Sequence, residues 1–124
     1  MPPIHDFRCS KCGFALPPGW GGRFYVIDDD GNRVIPGHPG EERTVQAILG
    51  KNAPLEIRKA RTGFNSDCLC LDCLHSFQID TEWDERLCPL CNSVNVKTTQ
   101  ELIDQPCPKC KSGTMREIDT GLGV

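Results

Sequence analysis

The sequence predicts a small mixed fold, mainly β, of antiparallel hairpins and one short helix, stapled by cysteine-rich modules. Three observations carry this. Nine cysteines occur in 124 residues, eight of them in C-x-x-C pairs. Short stretches alternate apolar and polar residues, the period of a half-buried strand. Twelve glycines and ten prolines interrupt the chain and aromatic residues make up only 6%. A core this thin needs another source of stability.

From the N-terminus, Cys9-Ser10-Lys11-Cys12-Gly13-Phe14 reads as a tight turn, or knuckle, with Gly13 free to take the left-handed conformation. Pro17 to Gly22 is turn-rich, and Trp20 within it is expected to plug a small core, an interaction anchor being the alternative. Arg23-Phe24-Tyr25-Val26-Ile27 is a strand by its aromatic and β-branched content; residues 28–32 turn the chain and Arg33-Val34-Ile35 returns alongside. Asp28, Asp30 and Asn32 have the spacing of a calcium loop. That loop needs glycine where Arg33 stands and glutamate where Pro39 stands, so a plain hairpin turn is expected.

From Glu41 the period changes. Val45, Ile48 and Leu49 fall at helix spacing, with acidic residues at the start and Gly50 at the end, which predicts a helix of about nine residues. Lys51, Arg58, Lys59 and Arg61 then form a basic run around Leu55 and Ile57, read as a solvated strand edge or a phosphate contact.

In the second half, Cys70-Leu71-Asp72-Cys73 and Cys88-Pro89-Leu90-Cys91 are spaced for a hairpin that leaves one turn and returns beside the other. Phe77 and Ile79 alternate with Gln78 and Asp80 as in a half-buried strand, and Val94 to Lys97 is another short alternating stretch. Trp83 stands among Asp80, Glu82, Asp84 and Glu85, which disfavours stacking on a base and suits covering the hairpin or meeting a basic protein surface. Cys107-Pro108-Lys109-Cys110-Lys111-Ser112 repeats the pattern of residues 88–93. The tail from Glu117 reads as a strand leaving the last knuckle and fraying after Thr120.

Two thiolates three residues apart point at one ion, and two such turns complete the tetrahedron that zinc prefers. Four pairs therefore imply two Zn²⁺ ions, each with four Cys: the ligands are Cys9, Cys12, Cys70, Cys73, Cys88, Cys91, Cys107 and Cys110. Nested pairing joins Cys9/Cys12 to Cys107/Cys110 around an inner site, at little cost because closure entropy grows only logarithmically with loop length. Sequential and crossed pairings stay open, as does iron, which four thiolates do not exclude. Cys68 is read as a small buried apolar residue beside the metal, with replacement of Cys70 as the alternative. His75 is taken as a structural or exposed histidine, and His5 and His38 as isolated in sequence from any carboxylate or metal pair. A redox C-x-x-C usually sits at a helix start in a βαβ setting, which this chain lacks.

The start, MPPIHDFRCS, has no basic stretch followed by an apolar run, and no run of 18 apolar residues occurs. Reduced thiols, a cytoplasmic location and no membrane span are expected. The formal net charge is −3, and each four-thiolate zinc site adds −2, giving about −7. That sign is wrong for coating phosphate backbones by bulk charge.

Cys70-x-x-Cys73 followed by Phe77, then Cys88-Pro-x-Cys91, resembles the zinc-ribbon family over about residues 66–98, and the two chain ends resemble it more weakly. The resemblance implies zinc-ribbon modules, each with two knuckles supporting a small antiparallel sheet. It divides the chain into an N-terminal knuckle, hairpin and helix (1–66), an inner ribbon (67–99) and a C-terminal knuckle completing the outer site (100–124). The family usually has glycine after each knuckle's second cysteine; Gly13 matches, while Leu74, Asn92 and Lys111 depart. Rubredoxin is the nearest iron-binding resemblance, but its chains are compact and hold one iron.

Zinc ribbons occur in transcription and translation factors, RNA-modifying enzymes, ribosomal proteins and accessory subunits, so the resemblance implies metal and fold but no single activity. The expected function is a non-catalytic adaptor or accessory subunit that binds another protein in a larger complex. The alternative is a nucleic-acid-binding or transcription-related protein, which requires Lys51, Arg58, Lys59, Arg61, Lys97, Lys109, Lys111 and Arg116 to gather on one face. No enzyme is expected, because no nucleophile has a nearby base and a filled four-thiolate site has no open position.

Overall fold

The computed structural model describes residues 3–123. In chain order its elements are strands β1 (Pro3–Cys9), β2 (Ala15–Gly19), β3 (Gly22–Ile27) and β4 (Arg33–Val34), helices α1 (Glu41–Leu49) and α2 (Leu55–Ala60), strands β5 (Thr62–Cys70), β6 (Ser76–Ile79) and β7 (Val96–Thr98), helix α3 (Thr99–Leu102) and strand β8 (Met115–Gly123). The mixed, mainly β architecture with antiparallel sheets is as expected from the sequence. Among the described residues three short helices are present rather than one. The chain divides into two compact units, one of Met1–Gly22 with Ser66–Val124 and one of Arg23–Asn65.

In the first unit, β2-β1-β8 form an antiparallel sheet with β1 in the middle. Phe7 faces Leu16 on one side and Glu117 on the other, and Cys9 faces Met115. Strand side chains alternate between faces, so Phe7 and Cys9 enter the same core with Leu16, Leu69, Leu102, Cys107 and Met115. The expected fraying after Thr120 does not occur. β8 runs to Gly123, because β1 begins at Pro3 and offers a partner along this length.

The same unit contains residues 66–70 of β5, flanked by β6 and β7. Cys68 faces Phe77 on one side and Thr98 on the other. With both edges paired, residues 67–70 are all buried, and Cys68, Cys70, Cys88 and Val96 form a second small core edged by Phe77 and Ile79. The alternation predicted for Phe77 to Asp80 appears as β6, whereas of residues 94–97 only Val96 and Lys97 lie in β7 and Val94 is exposed.

In the second unit, β3 and β4 form the predicted hairpin, Val26 facing Val34. The Asp28 carboxylate accepts hydrogen bonds from the backbone N–H of Asp30 and of Asn32, both at 2.9 Å. It is engaged by the turn itself, as aspartate turns are. α1 covers the nine residues expected, buries Val45 and ends at Gly50, whose N–H donates to the Gln46 carbonyl. The basic run is not a strand edge: Leu55–Ala60 is helical. The Pro54 carbonyl accepts from the N–H groups of Ile57 and Arg58 at 3.1 Å, which closes the first turn. Glu56 lies in that turn and Arg58 and Lys59 in the last, the polarity the helix dipole favours.

Candidate metal centres

Two knuckles begin where a strand ends, at Cys9 of β1 and Cys70 of β5. Cys9, Cys70, Cys88 and Cys107 are buried, whereas Cys12, Cys73 and Cys91 are exposed and Cys110 is half-buried. The turns share one backbone form. The N–H of Cys9, Cys70 and Cys88 donates to the carbonyl five residues on, that of Phe14, His75 and Ser93 respectively, and the Cys107 N–H reaches Gly113, at 2.8–3.0 Å.

The residue after the second cysteine is left-handed in all four turns: Gly13 (φ 75°), Leu74 (63°), Asn92 (62°) and Lys111 (65°). Three of these are not glycine. An L-residue pays about 1–2 kcal/mol to sit there. In each of those three turns, the same residue's N–H donates to the carbonyl of the turn's first cysteine at 2.9–3.0 Å, which helps hold the conformation.

The four turns converge in two groups, Cys9, Cys12, Cys107 and Cys110, and Cys70, Cys73, Cys88 and Cys91. Within each group all four sulfurs lie within 4.8 Å of one another. The separations are 3.6 Å for Cys9–Cys110, 3.7 Å for Cys12–Cys107, 3.5 Å for Cys70–Cys91 and 3.6 Å for Cys73–Cys88. A disulfide needs about 2.05 Å. A tetrahedron with Zn–S bonds of about 2.3 Å has edges of roughly 3.8 Å. The sulfur positions thus fit a four-coordinate ion, and the grouping is the nested one.

Backbone N–H groups aimed at the sulfurs favour thiolates. Cys9 Sγ accepts from Lys11 and Cys12, Cys107 Sγ from Lys109 and Cys110, and Cys110 Sγ from Gly113, at 3.3–3.5 Å. The Gly113 and Ser112 amides hold the Cys110 thiol down to about 6, and the Cys73 amide is the leading cause that brings Cys70 to about 7. Other members go the opposite way. The Phe14 amide favours a Cys12 thiolate, but burial and the sulfurs of Cys9, Cys110 and Cys107 push it up to about 11. Cys91 reaches about 12 because burial and its three partner sulfurs outweigh the Ser93 amide. Four thiolates this close repel one another, and a divalent cation among them supplies the missing positive charge. Two Cys₄ groups at ligand distance can therefore hold metal ions.

Cys68 lies outside both groups. Its thiol is buried, donates weakly to the Ser66 carbonyl at 3.5 Å and is pushed up by burial. His75 stacks on Phe77 with ring centroids 5.9 Å apart, His5 lies 3.1 Å from Glu117, and His38 lies 2.6 Å from Glu41. Trp20 is half-buried.

One residue important to the outer group escaped sequence reasoning. A Cβ on Gly113 would fall far inside the van der Waals distance of Cys9 Sγ and 3.2 Å from the Lys11 amide nitrogen. Glycine is required there by close approach of a ligand. The signal was a glycine three residues beyond Cys110, hidden among the chain's other glycines.

No family model, curated protein or solved structure matches the chain. No helix among the described residues is long and apolar enough to cross a membrane.

Proposed function

We propose that this chain is a non-catalytic adaptor or accessory subunit of the zinc-ribbon kind, carrying two structural zinc ions and docking another protein in a larger complex. Its cysteines suit a reducing compartment such as the cytoplasm. The observation that carries the reading is the apolar display around the inner Cys88/Cys91 knuckle. Trp83 is 76% exposed, Leu90 69% and Val94 77%, all within twelve residues of chain.

This display stands on ordered backbone. Asp80 is buried, its carboxylate accepts from the Glu82 N–H at 3.0 Å, and its carbonyl accepts from the N–H groups of Trp83 and Asp84 at 3.1 and 2.7 Å. The indole is held out by a built turn. Exposed apolar side chains mark interaction surfaces where they form a patch, and tryptophan is a preferred interface anchor. Exposed Glu82 and Glu85 flank it, so the complementary partner surface has an apolar pocket with a basic rim.

Nucleic-acid binding, the alternative, draws on the basic residues. Arg58, Arg61 and Arg116 lie 2.6, 3.0 and 2.9 Å from the carboxylates of Glu42, Asp29 and Asp104. Pairing of this kind weakens a phosphate-binding face and favours the adaptor reading.

Native mass spectrometry of the protein drawn gently from its own cells tests the proposal. Two zinc ions and a stoichiometric protein partner are expected. Trp83→Ala should keep both ions and lose the partner, a hot-spot tryptophan being worth about 2–4 kcal/mol. A solitary zinc-loaded chain would refute the adaptor reading, and bound iron would refute the metal assignment.

A further inference from the structure

We infer that the hollow beside α3 and the last knuckle is a second docking face, which takes an acidic segment of the partner protein: a bulky apolar side chain flanked by carboxylates. This rests on the adaptor reading and adds the partner's chemistry to it. A cavity of about 380 Å³ opens there, lined by Leu71, Leu102, Pro106 and Pro108, with Lys97 and Lys111 also contributing. Lys97 and Lys111 are exposed, whereas Leu102 and Pro108 are buried. Prolines carry no N–H, so two of the lining residues offer no backbone donor. An apolar lining with a few charged groups is the usual form of a binding pocket. The volume suits one bulky side chain and the backbone beside it.

Charge selects the occupant. Neither Lys97 nor Lys111 has an ion-pair partner among the described residues. Glu101 also lines the cavity, but its carboxylate is already engaged, accepting from Arg86 at 2.5 Å and from the Thr98 N–H at 2.8 Å. Two ammonium groups without an ion-pair partner thus edge a largely apolar hollow, whose lining also includes Gln105 and Cys107 of the outer group. Complementary charge fixes the register of a bound segment, and the apolar lining holds its side chain. A phosphate backbone would meet the lysines and leave the leucines and prolines unused.

The test is a titration of the ¹⁵N-labelled, zinc-loaded full chain with a capped hexapeptide holding leucine and phenylalanine between glutamates. Amide shifts should be confined to Leu71, Lys97 and residues 101–111. Binding should weaken roughly tenfold when glutamines replace the glutamates, and similarly in the Lys97→Gln, Lys111→Gly double variant. Lys111→Gly removes the ammonium and suits the left-handed backbone at φ 65°, and retention of two zinc ions shows that the double variant folds.

Absence of shifts at millimolar peptide, or equal shifts in the double variant, overturns the inference. So does a single-stranded RNA hexanucleotide that moves the same amides more strongly. The chain's own Asp80–Leu87 segment has the same acidic and apolar chemistry, so sedimentation is run without peptide. Self-association that the double variant abolishes would give the hollow to a second copy and overturn the partner assignment. Failure here leaves a partner held through Trp83 intact, whereas failure of the adaptor reading removes the partner altogether.

Discussion

Gly113 shows how narrowly a Cys₄ group constrains a residue outside it. Its backbone N–H donates to Cys110 Sγ at 3.3 Å, and a methyl group on its Cα would collide with Cys9 Sγ. Relief would require moving a ligand or the Lys11 backbone. Gly113→Ala is therefore expected to release the outer ion and to cost about 1–3 kcal/mol or more. Zinc content by mass spectrometry should fall from two ions to one. The eight pair-forming cysteines were legible because their spacing is itself the chemistry, and the odd status of Cys68 followed from the same arithmetic. Gly113 was not legible, because its constraint comes from a sulfur more than a hundred positions away in the chain. The left-handed backbone at Leu74, Asn92 and Lys111 is the reverse case: a resemblance to zinc ribbons implies glycine at these positions, and these residues adopt the same turn without it.

Among the elements, the two knuckle pairs are predicted to fail separately. Cys110→Ser should release the outer ion and leave the 70–91 site loaded, while Cys91→Ser should release the inner ion and unfold its surroundings, since metal binding and folding are one equilibrium. Retention of both ions in a folded Cys91→Ser protein would contradict the ligand assignment.

At α3, Thr98 and Glu101 form a reciprocal capping box, and Glu101 also holds Arg86. The Arg86 hydrogen bond is the leading cause that lowers the Glu101 carboxyl to about 2, below its ordinary value. A lowered carboxylate contributes stability that is present above its unfolded-state value and lost as pH falls toward the folded one. Glu101→Gln should cost about 1 kcal/mol in urea unfolding at neutral pH. The difference from the native protein should stay constant down to about pH 5 and narrow below about pH 4.

Elements with a clear period were legible: β3, β4, β6 and α1 lie where their patterns put them. α2 was missed because a six-residue helix is too short to display a period, and its leucine and isoleucine remain exposed. β1 and β5 were missed for a different reason. Their sequences carry charged or small residues, and it is neighbouring strands on both sides that make them strands.

For the whole molecule, both Cys₄ groups belong to the unit made of Met1–Gly22 and Ser66–Val124. Structural zinc sites contribute apparent free energies of about 10–16 kcal/mol at neutral pH, comparable with the entire stability of a typical domain, about 5–15 kcal/mol. A strong chelator is therefore expected to unfold that unit. Hydrogen exchange should show the amides of β1, β8 and residues 66–70 losing protection together, and protection that survives complete metal removal would contradict a metal-dependent core.

The outer group also has a consequence in time. Cys12 and Cys110 are separated by 98 positions, whereas Cys73 and Cys91 are separated by 18. At roughly 5–20 residues per second of synthesis, the inner ligands follow one another within about 1–4 s, while the N-terminal pair waits about 5–20 s for its counterpart. During that interval two thiols on the nascent chain lack their partners, open to oxidants and to rival metals. The last knuckle to leave the ribosome then closes the oldest half-site, so a chain truncated before Cys107 could complete its inner centre and never its outer one.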